Sequence, residues 1–303
     1  MVNPQQISTA WDQIRPHVLR TPVVQTDVFG MPLSFKLEHM QHTGSFKARG
    51  AMNSLLSMDV PHAGLVAASG GNHGAAVAWA AARLGHKARI YVPEIAGPAK
   101  INLIKSLGAD LVVVPGAYSN ALEQALQYET ETGAAQIHAF DAPATVAGQG
   151  TVMAEWEDQD MQADTVLIAV GGGGLIGGAM AWLEGRCKIV GVEPINAPTL
   201  TQALENGPET TVEVSGIAAN ALGAKQVGRI CYNLAQITGT VCVNVEDDAI
   251  AKAQLMLWEN LRQLVEPAGA TALAALLSGA YVPQKGERVA VLLCGANPAD
   301  HPL

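Results

Sequence analysis

Short apolar runs alternate with helical stretches through most of this chain, and that alternation narrows the possible folds more than any other feature. The candidate strands are 65–67, 88–92, 111–114, 165–170, 189–192 and 289–293. Several are continuously apolar rather than alternating, as expected of strands buried on both faces of a parallel sheet. Helical stretches fall between them at 72–84, 98–106, 119–132, 175–183 and 247–264, and one more is expected over 46–56. Ser119 is placed as an N-cap, and Gly85, Gly108 and Gly133 stand where helices would end. The pattern predicts an α/β protein, with 65–133 as one three-stranded unit. In open α/β sheets ligands sit at the carboxyl ends of strands, so the chemistry is expected just after them.

Composition bounds the rest. The 303 residues are 49% hydrophobic and 15% charged, enough for a large core, which excludes a disordered chain or a coiled coil. A charge of −9 argues against a basic face for nucleic acid. Cys187, Cys231, Cys242 and Cys294 form no C-x-x-C pair, which predicts free thiols in a reducing compartment. The N-terminus lacks the pattern of a signal peptide. Stretch 166–183 is uncharged and long enough to cross a membrane, but its six glycines argue against a spanning helix. Trp258 is expected in the core. His39 and His42 have no third ligand nearby to make a zinc site, and no G-x-S-x-G elbow is present.

Four stretches carry possible chemistry. Lys47 follows Gly44-Ser45-Phe46 at a helix start, where the helix dipole disfavours a positive charge. A lysine with a lowered pKa can act as nucleophile or base; the plainer reading is a surface lysine. Ser69-Gly70-Gly71-Asn72-His73-Gly74 joins a strand to an alanine-rich helix. Its small residues and helix-start N–H groups suit an anion, with Ser69, Asn72 and His73 as added donors. The alternative is a tight turn capped by Asn72. Gly171, Gly172, Gly173 and Gly174 form a run whose N–H groups suit a phosphate. Gly172, Gly174 and Gly177 also fit G-x-G-x-x-G, with Glu193 twenty-one positions beyond Gly172, so this stretch alone leaves a dinucleotide site open. Cys294 ends the last strand, where a thiol is either a weak donor to a ligand or plain core.

A lysine, a glycine cradle, an asparagine loop and a ring-nitrogen partner together match an aldehyde-bearing pyridine phosphate. At this point the sequence resembles the fold-type II pyridoxal-phosphate enzymes, above all their serine/threonine dehydratase and serine racemase group. The resemblance runs through KLEHMQHTGSFKARGAMN (36–53), SGGNHG (69–74), AGQGT (147–151), GGGGLIGG (171–178), GVEP (191–194), VEPAGATALAALL (265–277) and LLCGAN (292–297), and it weighs against the dinucleotide reading.

The resemblance implies a tryptophan synthase β-like fold, with two open, mostly parallel sheets flanked by helices. A large domain (1–50 and 142–303) and a small one (51–141) would face each other across an active-site cleft. It implies pyridoxal 5'-phosphate bound covalently to Lys47, with Phe46 beside the ring and Asn72 on its 3-hydroxyl oxygen. Gly171 to Gly174 would hold the phosphate, and Cys294 would sit at the ring nitrogen. Ser69, Asn72 and His73 would bind the substrate carboxylate.

The implied reaction is loss of water from L-threonine or L-serine, giving a 2-oxo acid and ammonia, with Lys47 as base at Cα. Another β-hydroxy amino acid such as 3-hydroxyaspartate, or serine racemisation, is the alternative. A cytoplasmic homodimer acting on a free amino acid, away from nucleic acid and membrane, is implied too. Three departures from the family stand out. Gly70 occupies the place of the second serine of S-S-G-N-H, the acid/base of racemases. A divalent cation, magnesium or calcium, held in racemase-like members by two carboxylates and a carbonyl, would meet Glu193, Ala197 and Thr199 here, one carboxylate short. The sequence ends six residues after Asn297, which predicts no C-terminal regulatory domain.

Overall fold

The structure, a computed structural model, describes residues 1–116 and 118–297. In chain order the strands are β1 (Val23–Thr26), β2 (Leu33–Lys36), β3 (Leu65–Ala68), β4 (Ala88–Pro93), β5 (Asp110–Val114), β6 (Ala135–Gln136), β7 (Thr165–Ala169), β8 (Lys188–Pro194), β9 (Val241–Val245) and β10 (Val289–Leu292). The helices are α1 (Pro4–Ile14), α2 (Lys47–Leu56), α3 (Asn72–Leu84), α4 (Pro98–Ser106), α5 (Tyr118–Thr132), α6 (Pro143–Glu157), α7 (Gly174–Leu183), α8 (Thr199–Asn206), α9 (Ala219–Leu222), α10 (Arg229–Thr238), α11 (Asp247–Leu261) and α12 (Pro267–Ser278).

These strands make two open sheets. One has six strands in the order β1-β2-β10-β7-β8-β9, parallel except for the β1–β2 pair. The other has four parallel strands in the order β5-β4-β3-β6. The α/β class with two mostly parallel sheets is therefore present. The smaller sheet gains a fourth strand that the three-stranded expectation lacked. At two residues, β6 is too short to show any periodicity, and it is defined by pairing with Leu65 and Val66. The uncharged stretch 166–183 divides into β7, the glycine turn and α7.

Local chemistry explains most boundaries. Gly85 (φ 76°), Gly108 (φ 82°) and Gly133 (φ 72°) close α3, α4 and α5 in the left-handed region, as expected. Helix α5 begins at Tyr118, so Ser119 lies inside its first turn instead of capping it. Helix α3 buries Ala75, Ala76, Val77, Ala78, Ala80 and Ala81, which lets it press closely on the sheet. Gly74 is required there, because a Cβ would meet the Ser69 carbonyl oxygen at 2.3 Å. Trp258 is a correction: it is 42% exposed on α11, while Leu257 next to it is buried.

The interior also holds a charged cluster that the sequence pattern did not suggest. Lys36, Glu38, Arg49 and Glu155 are all buried. The Arg49 guanidinium bonds Glu38 at 2.6 and 3.0 Å and Glu155 at 2.9 Å. Lys36 Nζ donates to Glu155 at 2.5 Å, to the Gln159 side chain at 2.5 Å and to the Thr21 carbonyl at 2.8 Å. Two cations and two carboxylates balance. Burial opposes charge on Glu155, yet Arg49 and Lys36 hold its carboxyl below the usual range. This cluster ties α2 to α6 and to the end of β2.

Candidate active site

The residues singled out above converge at the carboxyl ends of β7 and β10. Thr43 (φ 62°) and Gly44 (φ 73°) make a left-handed turn before α2. A Cβ at Gly44 would lie 2.6 Å from Asn297 Oδ1, so only glycine allows that approach. The Phe46 N–H then donates to the Cys294 carbonyl at 3.1 Å, which fixes the start of α2 against the last strand. Lys47 opens the helix, and its Nζ donates to the Ala139 carbonyl at 2.6 Å. Burial lowers its pKa to about 8. Cys294 offers no compensating negative charge near neutral pH, since burial pushes its thiol up to about 12. That thiol stays protonated and donates to the Ala268 carbonyl at 3.5 Å.

Lys47 opens on a pocket of about 460 Å³, counting the space open to solvent. Phe46, Asn72, the four glycines and Cys294 line it. The glycine run is a backbone surface by necessity. A Cβ at Gly172 would meet the Phe140 ring at 2.3 Å, and one at Gly171 would meet Leu222 Cα at 2.9 Å. Its carbonyls are turned into the protein: Thr199 Oγ1 donates to Gly171, the Gly228 N–H to Gly172 and the Gly177 N–H to Gly173. No acceptor among the described residues takes the N–H of Gly171, Gly172 or Gly173. Donors without partners, at the start of a helix, fit the phosphate of a cofactor. An amine with a lowered pKa in the same pocket fits its aldehyde.

Ser69 and His73 are not part of this lining. The Ser69 hydroxyl accepts from the Gly71 N–H at 3.2 Å. The His73 ring is bonded to the Ile137 carbonyl at 2.8 Å, and burial, with Lys47 adding to it, pushes its pKa down to about 3. As a correction, the His73 imidazole is neutral and committed, so it is no donor to a carboxylate. The first-turn N–H groups of α3 remain for that purpose. Gly71 occupies the N-cap, so the Asn72 amide is not spent on capping and lines the pocket.

Glu193 is also a correction. One carboxylate oxygen accepts from the Leu200 N–H at 2.7 Å and Thr199 Oγ1 at 3.1 Å. The other accepts from the Thr201 N–H at 2.9 Å and Oγ1 at 2.6 Å. Fully buried, this carboxylate caps α8 and can meet neither a ribose nor a cation. The Ala197 carbonyl accepts from the Thr199 N–H, and no group of three His, Cys, Asp or Glu among the described residues could hold a metal.

Three participants escaped the sequence reading. Phe140 closes the glycine cradle, the Ala139 carbonyl receives Lys47, and Glu266 lines the pocket beside Asn72. Glu266 was visible in principle, as the single charge within 265–280 just ahead of a proline that starts a helix.

A free lysine amine and a glycine anion cradle between two parallel sheets define an enzyme that binds a carbonyl cofactor bearing a phosphate. Residues 14–295 match the family described as pyridoxal-phosphate dependent enzyme, and the chain belongs to it. It is 35% identical to a phenylserine dehydratase of Ralstonia pickettii over 94% of this chain and 90% of that protein. The solved structure of a T.th. threonine deaminase superposes with a TM-score of 0.91 at 35% identity, covering 99% of this chain and 100% of that one. Maize serine racemase gives a TM-score of 0.88 at 31% identity, covering 98% and 94%.

The cradle yields a first prediction. Gly173 sits at φ 87°, and a Cβ there would approach Cys231 Sγ to 2.5 Å. Gly173→Ala combines left-handed strain of about 1–2 kcal/mol with that clash. The cofactor dissociation constant, followed by fluorescence titration, is expected to rise at least about tenfold. Adding Cys231→Ala should restore only part of it, because the strained φ remains.

Proposed function

We propose that this protein eliminates the β-hydroxyl of a β-hydroxy α-amino acid as water, L-threonine or L-serine first among them, and that water then adds to the enamine so formed to release a 2-oxo acid and ammonia. The observation that carries this reading is the placement of the Lys47 amine and the glycine N–H cradle in one pocket. The cleft would lie between a large domain (1–50 and 142–303) and a small one (51–141). The first carries the six-stranded sheet and the second the four-stranded sheet. When bound, pyridoxal phosphate supplies an aldehyde that links to an amine and a ring that accepts electrons from Cα.

Lys47 would hold the cofactor and, once released, take the proton at Cα. The lowered pKa favours the neutral amine that both tasks need. Gly171, Gly172, Gly173 and Gly174 would bind the phosphate through their N–H groups, and Phe46 would pack beside the ring. Asn72 would donate to the ring oxygen. Cys294 would face the ring nitrogen as a neutral thiol, which supplies no full charge to protonate it. The first turn of α3 would receive the substrate carboxylate.

The relatives named phenylserine dehydratase and serine racemase keep two other readings in view, a bulkier β-hydroxy substrate and racemisation. Gly70 argues against the second: it has no proton to give, and a Cβ there would meet Ala96 Cβ at 2.4 Å. No helix among the described residues is long and apolar enough to cross a membrane. A cytoplasmic homodimer is the setting proposed.

The test is an assay of 2-oxo acid from L-threonine, L-serine, phenylserine and 3-hydroxyaspartate, with chiral analysis of serine. Release of 2-oxobutanoate or pyruvate, with D-serine a minor product, is expected. If none of the four yields a 2-oxo acid, the proposal fails.

A further inference from the structure

Three side chains outside the glycine cradle form a continuous polar relay at the pocket wall. The Asn72 amide Nδ2 donates to Glu266 Oε1 at 2.5 Å, and its Oδ1 accepts from Asn297 Nδ2 at 2.7 Å. Asn297 Nδ2 also donates to the Thr43 carbonyl at 2.7 Å, in the turn that precedes Lys47. Asn72 and Glu266 both line the pocket. Gly295 leaves the space for the carboxylate, since a Cβ at that position would lie 2.1 Å from Glu266 Oε1.

We propose that Glu266 and Asn297 are positioning residues that fix which edge of the Asn72 amide faces the cofactor. The inference rests on the role proposed above for Asn72. An amide has one donating and one accepting end, and the two are similar in shape. An ionised carboxylate accepts only, so Glu266 requires the amino end of Asn72 to turn toward it. The Asn72 oxygen then faces Asn297, which must present its own amino end and thereby reaches the Thr43 carbonyl as well. Polarity set at Glu266 thus runs through both amides. Nδ2 of Asn72 has two hydrogens, and Glu266 uses one. The second is left for the cofactor's ring oxygen. With the amide reversed, the pocket would present a carbonyl oxygen to that oxygen, and the two would repel.

The relay holds this direction only while Glu266 is ionised. Three groups act around it. Lys100 of α4 favours its charged form, Cys294 after β10 is a neutral thiol near neutral pH, and Lys47 of α2 shares the pocket. Burial opposes the charge, and the carboxyl rises to about 7. Protonated Glu266 carries a donor as well as an acceptor, so it no longer fixes which end of Asn72 it meets. The absorbance band of the holoenzyme is therefore expected to shift with pH, with a midpoint near 7.

The experiment uses holoenzyme and compares Asn72→Ala, Glu266→Gln and Asn297→Ser by spectral pH titration and cofactor dissociation constant. Glutamine fills the same space but can offer either end to Asn72. Glu266→Gln should abolish the transition near pH 7 and raise the cofactor dissociation constant about tenfold, the scale of one charge-assisted hydrogen bond. Asn297→Ser leaves Glu266 in place and should weaken cofactor binding by a smaller factor while shifting the band. Asn72→Ala should be at least as severe as Glu266→Gln. If Asn72→Ala weakens binding while both relay variants keep the wild-type band, midpoint and affinity, the relay is overturned and the role of Asn72 stands. If Asn72→Ala itself leaves affinity unchanged, both fall. Should Glu266→Gln fail to fold, Asn297→Ser alone decides the matter by the same criteria.

Discussion

Replacing Lys47 with alanine is expected to lower 2-oxo acid formation by at least about 10⁴-fold, the combined scale of losing a covalent anchor and a general base. Two features of its setting make the loss this large. Among the described residues the pocket is lined by no other lysine and by no histidine or arginine, so no second amine there can take over the covalent anchoring. The side chain is also held in place, through the Ala139 carbonyl at 2.6 Å and the close packing of the Phe46 ring. Lys47→Arg separates chemistry from position. Arginine keeps a positive donor that can reach a carbonyl, but it is not deprotonated in proteins. It should be as inactive as alanine. A Lys47→Arg enzyme retaining even one-tenth of the wild-type rate would show that a charged donor suffices and that Lys47 is not the base. Uptake of cofactor by the emptied wild-type enzyme should quicken as the pH rises through about 8, because only the neutral amine attacks an aldehyde.

That centre was legible in the sequence because each of its parts is local. Lys47, Asn72 and the glycine run each sit at the junction of a strand or turn with a helix, and Cys294 just past the end of a strand; such places show in a linear reading. What was missed depends on distance along the chain. Glu266 meets Asn72 across 194 positions, and Lys36 meets Glu155 across 119, so no spacing rule could connect them. Phe140 and Ala139 lie in an irregular stretch after a two-residue strand, and their importance comes from what they face.

Glu193 shows the opposite case. Its spacing from the glycines left a ribose open until the resemblance weighed against it, and its place in GVEP offered a cation site one carboxylate short. Its actual partners are the first N–H groups of the following helix, a task that any carboxylate at that strand end could serve. The His73 ring differs from the expected substrate donor, because burial keeps it neutral and bonded to the Ile137 carbonyl, while its backbone N–H stays in the first turn of α3. Trp258 is expected in the core from the sequence, whereas the helix places Leu257 inward and Trp258 outward.

The second large effect concerns stability. Arg49→Met is expected to destabilise the protein by about 3–5 kcal/mol, because it strands buried charge that was paired. Glu38 loses both of its bonds from the guanidinium, and Glu155 keeps only Lys36 and the Thr21 groups. The pH dependence follows from the sign of the shift. In the wild type the Glu155 carboxyl is held below its usual value, so its stabilisation is present above the unfolded pKa and is lost as the pH falls through the folded one. The variant has less of that contribution to lose. The gap in urea midpoint between wild type and Arg49→Met should be widest near pH 8 and should narrow toward pH 4.

Adding Glu38→Gln to Arg49→Met should recover part of the loss, since it leaves Lys36 and Glu155 as a balanced pair and the cost arises chiefly from the uncompensated carboxylate and not from missing attraction. An unchanged gap across the pH range would instead assign the loss to packing of the arginine stem. Arg49 lies two residues beyond Lys47 on α2, so loss of the cluster is expected to disturb the helix that carries the reactive amine. Catalytic loss in Arg49→Met should therefore exceed the fraction of protein unfolded. If activity fell only in step with the folded fraction, the cluster would serve the fold alone.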